Sequence, residues 1–220
     1  MPISRETAAP SRSENTPIYR TSFVRHAHEV VMMGYSLLDT PSFARQEEEV
    51  ITGELVRSMQ TALEDRGAPH WAKYFWAMEE TRVNNSTRKG KRRLRIDIEI
   101  VKIQQGPRPR FRFEAKRLHD ATSRNNYLGE NGLGCFLDGR YAKEDETGGM
   151  LGFVQADSVN SHAEAIKEAI THDPEAYAVA KDGQWKACEI VKGLTSFETR
   201  HRRNGKHPSI TLLHTLLLFC

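Results

Sequence analysis

Cysteine is scarce. The 220-residue chain has three, Cys135, Cys188 and Cys220, far apart and odd in number. A disulfide-stapled scaffold is excluded, and the count suits a reducing compartment, so a cytoplasmic location is expected. Long apolar runs are also missing. The most apolar stretch, Leu212 to Cys220, is interrupted by His214 and falls far below the ~20 residues a membrane-spanning helix needs. The leader MPISRETAAPSRSENTP contains no apolar segment of the secretory kind. Residues 1–18 are expected to be a flexible leader and residues 19–220 one domain. No internal repeat occurs, and the nine histidines and three cysteines show no zinc-finger spacing.

What is present is an ordinary globular composition, 38% hydrophobic and 28% charged, with a formal net charge of +3. That charge is unevenly spread. Residues 88–117 hold twelve Lys/Arg against three Asp/Glu, whereas the rest of the chain is acidic on balance. A basic window of this kind is the electrostatic footprint of a polyanion-binding surface; a solvated basic hairpin without a partner is the alternative.

The apolar pattern predicts a helix within Tyr19–Asp39. A second helix is predicted from Pro41 to about Asp65, opened by Asp39-Thr40-Pro41, with Ile51, Leu55, Met59 and Leu63 on one face. An aromatic segment, Trp71–Met78, can become a strand. Two clear strands follow, Leu94–Ile103 and Arg110–Leu118. A short helix is expected within the glycine-containing stretch 125–145. Then come a strand at Met150–Gln155, a helix at Ser161–Thr171 capped by Asn160 or Ser161, and two strands, Gly193–Arg200 and Ser209–Phe219, around an Asn204-Gly205 turn. The order is that of a layered α/β domain with a mixed sheet.

The strand pair carries the chemistry. Ile96, Ile98 and Ile100 alternate with Arg95, Asp97 and Glu99, and Phe111, Phe113 and Ala115 alternate with Arg112, Glu114 and Lys116. Folding the pair on a turn between Gln105 and Gly106 sets Ile98 opposite Phe113, Glu99 opposite Arg112, and Asp97 opposite Glu114, with Lys116 one pleat away; the pattern fixes this register to within two residues. Two adjacent carboxylates repel unless a cation lies between them. An open oxygen site suits Mg²⁺, which draws its remaining ligands from water and phosphate. A neighbouring lysine can orient a water or stabilise developing negative charge. These are the requirements of phosphodiester hydrolysis; a charged, solvated hairpin face is the bland alternative.

Arg95-Ile96-Asp97-Ile98 followed by Phe113-Glu114-Ala115-Lys116-Arg117-Leu118 resembles the PD-(D/E)xK nuclease superfamily. Ile96 replaces the proline that often precedes the aspartate. The resemblance implies a restriction-endonuclease-like αβββαβ core with a mixed central sheet flanked by helices. It implies metal ligation of Mg²⁺ or Mn²⁺ by Asp97, Glu114 and the carbonyl of Ala115, with Lys116 assisting the attacking water. A glutamate from the first core helix is also implied. Glu48 is the expected one, Glu54 is the alternative on the helical wheel, and solvation of Glu47, Glu48, Glu49 and Glu54 together is the third possibility. Gly139-Arg140-Tyr141-Ala142 and Gly149-Met150-Leu151-Gly152-Phe153-Val154 are similar to segments of small bacterial defence-associated nucleases, which implies an antiviral defence effector.

The expectation is therefore a magnesium-dependent endonuclease acting on nucleic acid, DNA foremost, with Arg88, Lys89, Lys91, Arg92 and Arg93 holding phosphates. A homodimer or a protein partner in a defence complex is the expected setting, with no membrane. The rival is a non-catalytic or partner-activated nucleic-acid-binding or assembly subunit. Four other features are weighed beside these readings. The glycines of 129–134 lack a strand–turn–helix frame for a dinucleotide. Cys135 reads as a buried small residue, and His119 as a surface histidine. Gln155, at a strand end, is a candidate contact for DNA or water.

Overall fold

Alternation of apolar residues at Arg95–Lys102 and Arg110–Leu118 produces two strands of a seven-stranded mixed sheet. The computed structural model describes residues 17–82, 95–203, 205 and 207–220. Helix α1 (Pro17–Tyr35), a 3-10 turn (Thr40–Phe43), α2 (Glu48–Glu64) and a second 3-10 turn (Ala72–Tyr74) lead into β1 (Phe75–Arg82), β2 (Arg95–Lys102) and β3 (Arg110–Leu118). Then follow α3 (Ala121–Leu128), α4 (Gly134–Leu137), β4 (Thr147–Val154), α5 (Val159–His172), β5 (Lys186–Ala187), β6 (Thr195–His201) and β7 (Ile210–Leu218). The strand order is β1-β2-β3-β4-β7-β6-β5. The pairs β3–β4 and β4–β7 are parallel and the remaining pairs antiparallel.

Two cores result. One face of the sheet packs Ile98, Ile100, Phe113, Phe153 and Leu213 against Val30 and Val31 of α1 and Ile51, Leu55 and Met59 of α2. The other packs Leu118, Met150, Val154, Leu212 and Leu216 against Tyr127, Phe136 and Ile166 from α3, α4 and α5. The central strands β4 and β7 are buried on both sides, which is why Leu212–Leu218 reads as a nearly continuous apolar run. At Gly149 in β4 a Cβ would stand 2.2 Å from the Phe113 ring, so only glycine lets the strand pass.

Several expectations are corrected. Pro17 and Ile18 belong to α1, so the helix begins inside the expected 1–18 leader; residues 1–16 lie outside the described residues. The helix expected from Pro41 starts only at Glu48; the carbonyls of Phe43 and Gln46 are engaged by the side chain of Gln155, one residue past β4, instead of continuing a helix. Helix α3 begins at Ala121, ahead of the stretch 125–145 in which one short helix was expected, and α4 is a second helix in that stretch; the start of α3 is a reciprocal cap, Asp120 accepting from Ser123 N at 2.7 Å and Ser123 Oγ from Asp120 N at 3.0 Å. The cap of α5 is Ser158, not Asn160 or Ser161. Among the described residues, no helix is long and apolar enough to cross a membrane.

Candidate active site

The β2–β3 ladder holds the expected register, Ile98 opposite Phe113, Glu99 opposite Arg112 and Ile100 opposite Phe111, and then stops. Asp97 and Glu114 are not cross-strand partners, nor are Ile96 and Ala115. Past Phe113 the two strands separate, and Ile96 packs in the second core rather than beside Ile98 in the first. Strand β3 continues beside β4 as far as Leu118, so the β2-facing edge of its last residues has lost its backbone partner. Buried backbone groups need a substitute.

Three side chains supply it. Asp97 Oδ2 accepts from Ala115 N at 2.8 Å, Glu48 Oε2 accepts from Arg117 N at 3.3 Å, and Lys116 Nζ donates to Ala115 O at 2.6 Å. The same ammonium stands 2.7 Å from Glu48 Oε1, 2.9 Å from Glu114 Oε1 and 3.7 Å from Asp97 Oδ2. Thus Asp97, Glu114, Lys116, Ala115 and Glu48, all singled out in the sequence, meet at one point where two strands part. Of the other glutamates, Glu47 pairs with Arg117 and Glu54 with Arg57 at the surface, and Glu49 borders the adjoining cleft. The helix alternative is resolved in favour of Glu48.

The second face of the hairpin is not a solvated one. Glu114 is 4% exposed and Glu99 1%. Glu99 is neutralised by Arg110 and by Arg112 at 3.0 Å, and Arg112 continues to Asp145 at 2.6 Å. Glu114 is less well served. Its Oε2 is buried without a hydrogen-bond partner. Burial above all, then Asp97 and Glu48, push its carboxyl up to about 8 against the pull of Lys116. Burial likewise raises Asp97 and Glu48, opposed by Lys116. For Lys116 burial favours loss of the proton, but Glu114, Asp97 and Glu48 outweigh it and the net shift is upward. The ammonium therefore stays charged.

Beside this cluster lies a cleft of about 430 Å³ lined by Glu48, Glu49, Thr52, Glu79, Arg95 and Asp97. Four carboxylates against one guanidinium make it acidic. The expected phosphate-binding residues Arg88, Lys89, Lys91, Arg92 and Arg93 lie outside the described residues.

The donor set fits a hard divalent cation: three carboxylates, a backbone carbonyl, and an orphaned buried oxygen on Glu114. Among the described residues, no group of three or more His, Cys, Asp or Glu side chains is disposed to hold a metal as it stands. The oxygens instead converge on Lys116 Nζ at ammonium distances, longer than the 2.0–2.1 Å typical of Mg²⁺.

Sequence reasoning missed two neighbours. Tyr141, within the Gly-Arg-Tyr-Ala segment, donates its hydroxyl to Arg95 O at 2.5 Å and so fixes the start of β2 beside Asp97. Arg117, read only as one more basic residue, reaches Glu47 at 2.8 Å and Gln46 O at 3.4 Å. The only signal for Arg117 was its place next to Lys116. Gln155 does not point outward to a ligand; its amide lies against the α2 entry loop. Cys135 is buried as expected, its thiol pushed up to about 12 by burial and by Glu114, which leaves it unfit as a nucleophile. Comparison of the chain with protein-family models, with curated proteins and with solved structures finds no match.

Proposed function

We propose that the chain is a metal-dependent nuclease of PD-(D/E)xK type that hydrolyses phosphodiester bonds of nucleic acid, DNA foremost. One observation carries the reading: Glu48, Asp97, Glu114 and the carbonyl of Ala115 converge on a single cation, and Glu114 keeps a buried oxygen free. The order α2-β1-β2-β3-α3-β4, with β3 parallel to β4, supports a restriction-endonuclease-like core.

Asp97, Glu114, Glu48 and Ala115 O would hold Mg²⁺ or Mn²⁺. An ion there supplies Lewis acidity to a phosphoryl oxygen and to the attacking water. The protein's own part follows from its electrostatics. The acidic cleft repels a phosphodiester until a cation offsets its carboxylates, so substrate entry and metal loading are linked. Lys116 keeps its proton, so it orients water and stabilises negative charge developing on phosphoryl oxygens rather than acting as general base. Burial pushes the Glu114 carboxyl toward its neutral form, so a cation held there would favour the ionised form and its binding would release a proton.

The test is divalent-dependent nicking of plasmid by purified protein. Asp97→Asn is expected to abolish cleavage and weaken Mn²⁺ binding, and Lys116→Ala to abolish cleavage while Mn²⁺ still binds. Cleavage surviving in both variants places the active site elsewhere. A second reading, a non-catalytic nucleic-acid-binding or assembly subunit, is favoured by the place Lys116 already takes among the three carboxylates, where its ammonium contacts each of them. It predicts no cleavage by wild type with any divalent ion.

A further inference from the structure

Helix α2 delivers Glu48, yet no side-chain cap fixes where it begins. The residue at its N-cap position, Glu47, makes no side-chain capping bond, and the chain before it is an irregular link from the 3-10 turn. A helix start without a local cap must be located by tertiary contacts. Gln155 provides them. It is 8% exposed, one residue beyond the end of β4, and its backbone N donates to Leu118 O at 2.9 Å, tying it to the last residue of β3. Its side-chain amide donates to Phe43 O and to Gln46 O, both at 2.8 Å. Both acceptors are carbonyls, so the nitrogen must face them, and both amide protons are spent. The sheet end that carries Lys116 and Arg117 is thereby clamped to the loop that places Glu48.

We propose that Gln155 is a positioning residue that sets the Glu48 carboxylate against Arg117 N and Lys116 Nζ. It acts through the 43–47 link and not on a ligand. This rests on the reading of Glu48 as part of the metal site. One part of its test does not: the Arg117 amide, whose partner is Glu48 Oε2, reports the carboxylate's position in metal-free protein.

The experiment uses the full chain carrying Gln155→Leu, which removes both donors at similar volume, and separately Gln155→Glu, which sets a carboxylate against two carbonyls. Amide exchange is followed at Arg117, with Leu151 and Leu213 in the central strands as controls for global opening. Arg117 is expected to exchange at least about tenfold faster in both variants while the controls are unchanged. Unchanged Arg117 protection in either folded variant overturns the proposal. Mn²⁺ titration then tests the route. Gln155→Leu should weaken binding about tenfold, the usual size of an outer-shell effect, and should add nothing in a Glu48→Gln background. Full additivity in the double variant overturns the claim that Gln155 works through Glu48. Absence of Mn²⁺ binding by wild type ends the metal reading alone, and Arg117 exchange still decides Gln155.

Discussion

At the scale of single residues, Glu114 is poorly served among the described residues. It is buried, one of its oxygens has no partner there, and two other carboxylates share the Lys116 ammonium with it. Its raised pKa has a definite sign in stability. The native state holds a proton that the unfolded chain gives up near pH 4.5, so the metal-free protein loses stability as pH rises from about 4.5 to about 8. Denaturant unfolding in EDTA should therefore show the stability of wild type relative to Glu114→Gln, which needs no proton, falling by on the order of 3 kcal/mol between pH 5 and pH 8. The difference cancels the titration of groups the two proteins share. Equal slopes in the two proteins would mean that Lys116 keeps Glu114 ionised throughout.

At the scale of elements, helix starts are where local sequence and tertiary structure compete. Helix α5 obeys local rules: Ser158 is extended and its hydroxyl accepts from Ser161 N at 3.1 Å. Ser158→Ala should cost about 1 kcal/mol, and Ser161→Ala a few tenths, measured by thermal or urea unfolding. The reverse ranking would restore Ser161 as the cap. Helix α2 has no such cap and takes its start from Gln155 and Arg117, residues over sixty positions away. For strands the divide falls differently. Side-chain alternation together with a turn between Gln105 and Gly106 was enough to pair Ile98 with Phe113 and Glu99 with Arg112, because a one-residue slip would turn the isoleucines and phenylalanines away from the core they pack in. Alternation could not reveal that the pair ends at Asp97. That depends on β3 turning to follow β4, a strand some thirty residues further on.

At the scale of the whole molecule, the two cores are fastened through neutral histidines. His201 Nδ1 faces the carbonyl of Tyr177, which can only accept, so that nitrogen carries the proton and Nε2 accepts from Thr199 Oγ1. Thr199 Oγ1 then accepts from His214 Nε2, and His214 Nδ1 accepts from Tyr127. The chain joins β6 and β7 to α3 with every proton assigned, and a charge on either ring breaks it. Burial lowers His201 to about 4 and holds His214 well below the usual imidazole range, and on the opposite face burial lowers His28, under Phe111 and Phe113, to about 4. The unfolded chain takes up these protons near pH 6.5 and the native state resists. Stability is therefore lost as pH falls from about 6.5 toward 4. Melting temperature should drop across that interval, and Thr199→Val together with His214→Leu should flatten the drop. A flat profile in wild type would show that these rings are charged in the fold.

What the sequence by itself determined is whatever depends on neighbours along the chain. That includes the strands over Arg95–Lys102 and Arg110–Leu118, which of their side chains share a face, the apolar stripe of α2, and the residue types Asp97, Glu114 and Lys116 at close spacing. Tertiary structure alone decided the rest: that Glu48 rather than Glu54 reaches Lys116, that Gln155 clamps a helix start, that Tyr141 fixes the start of β2, and that the charged hairpin face is buried. The physical reason is common to all of these. Each depends on a backbone group left unpaired, or a charge left unhydrated, by the packing of segments distant in sequence, and the partner it takes is whichever side chain the fold brings within hydrogen-bond reach.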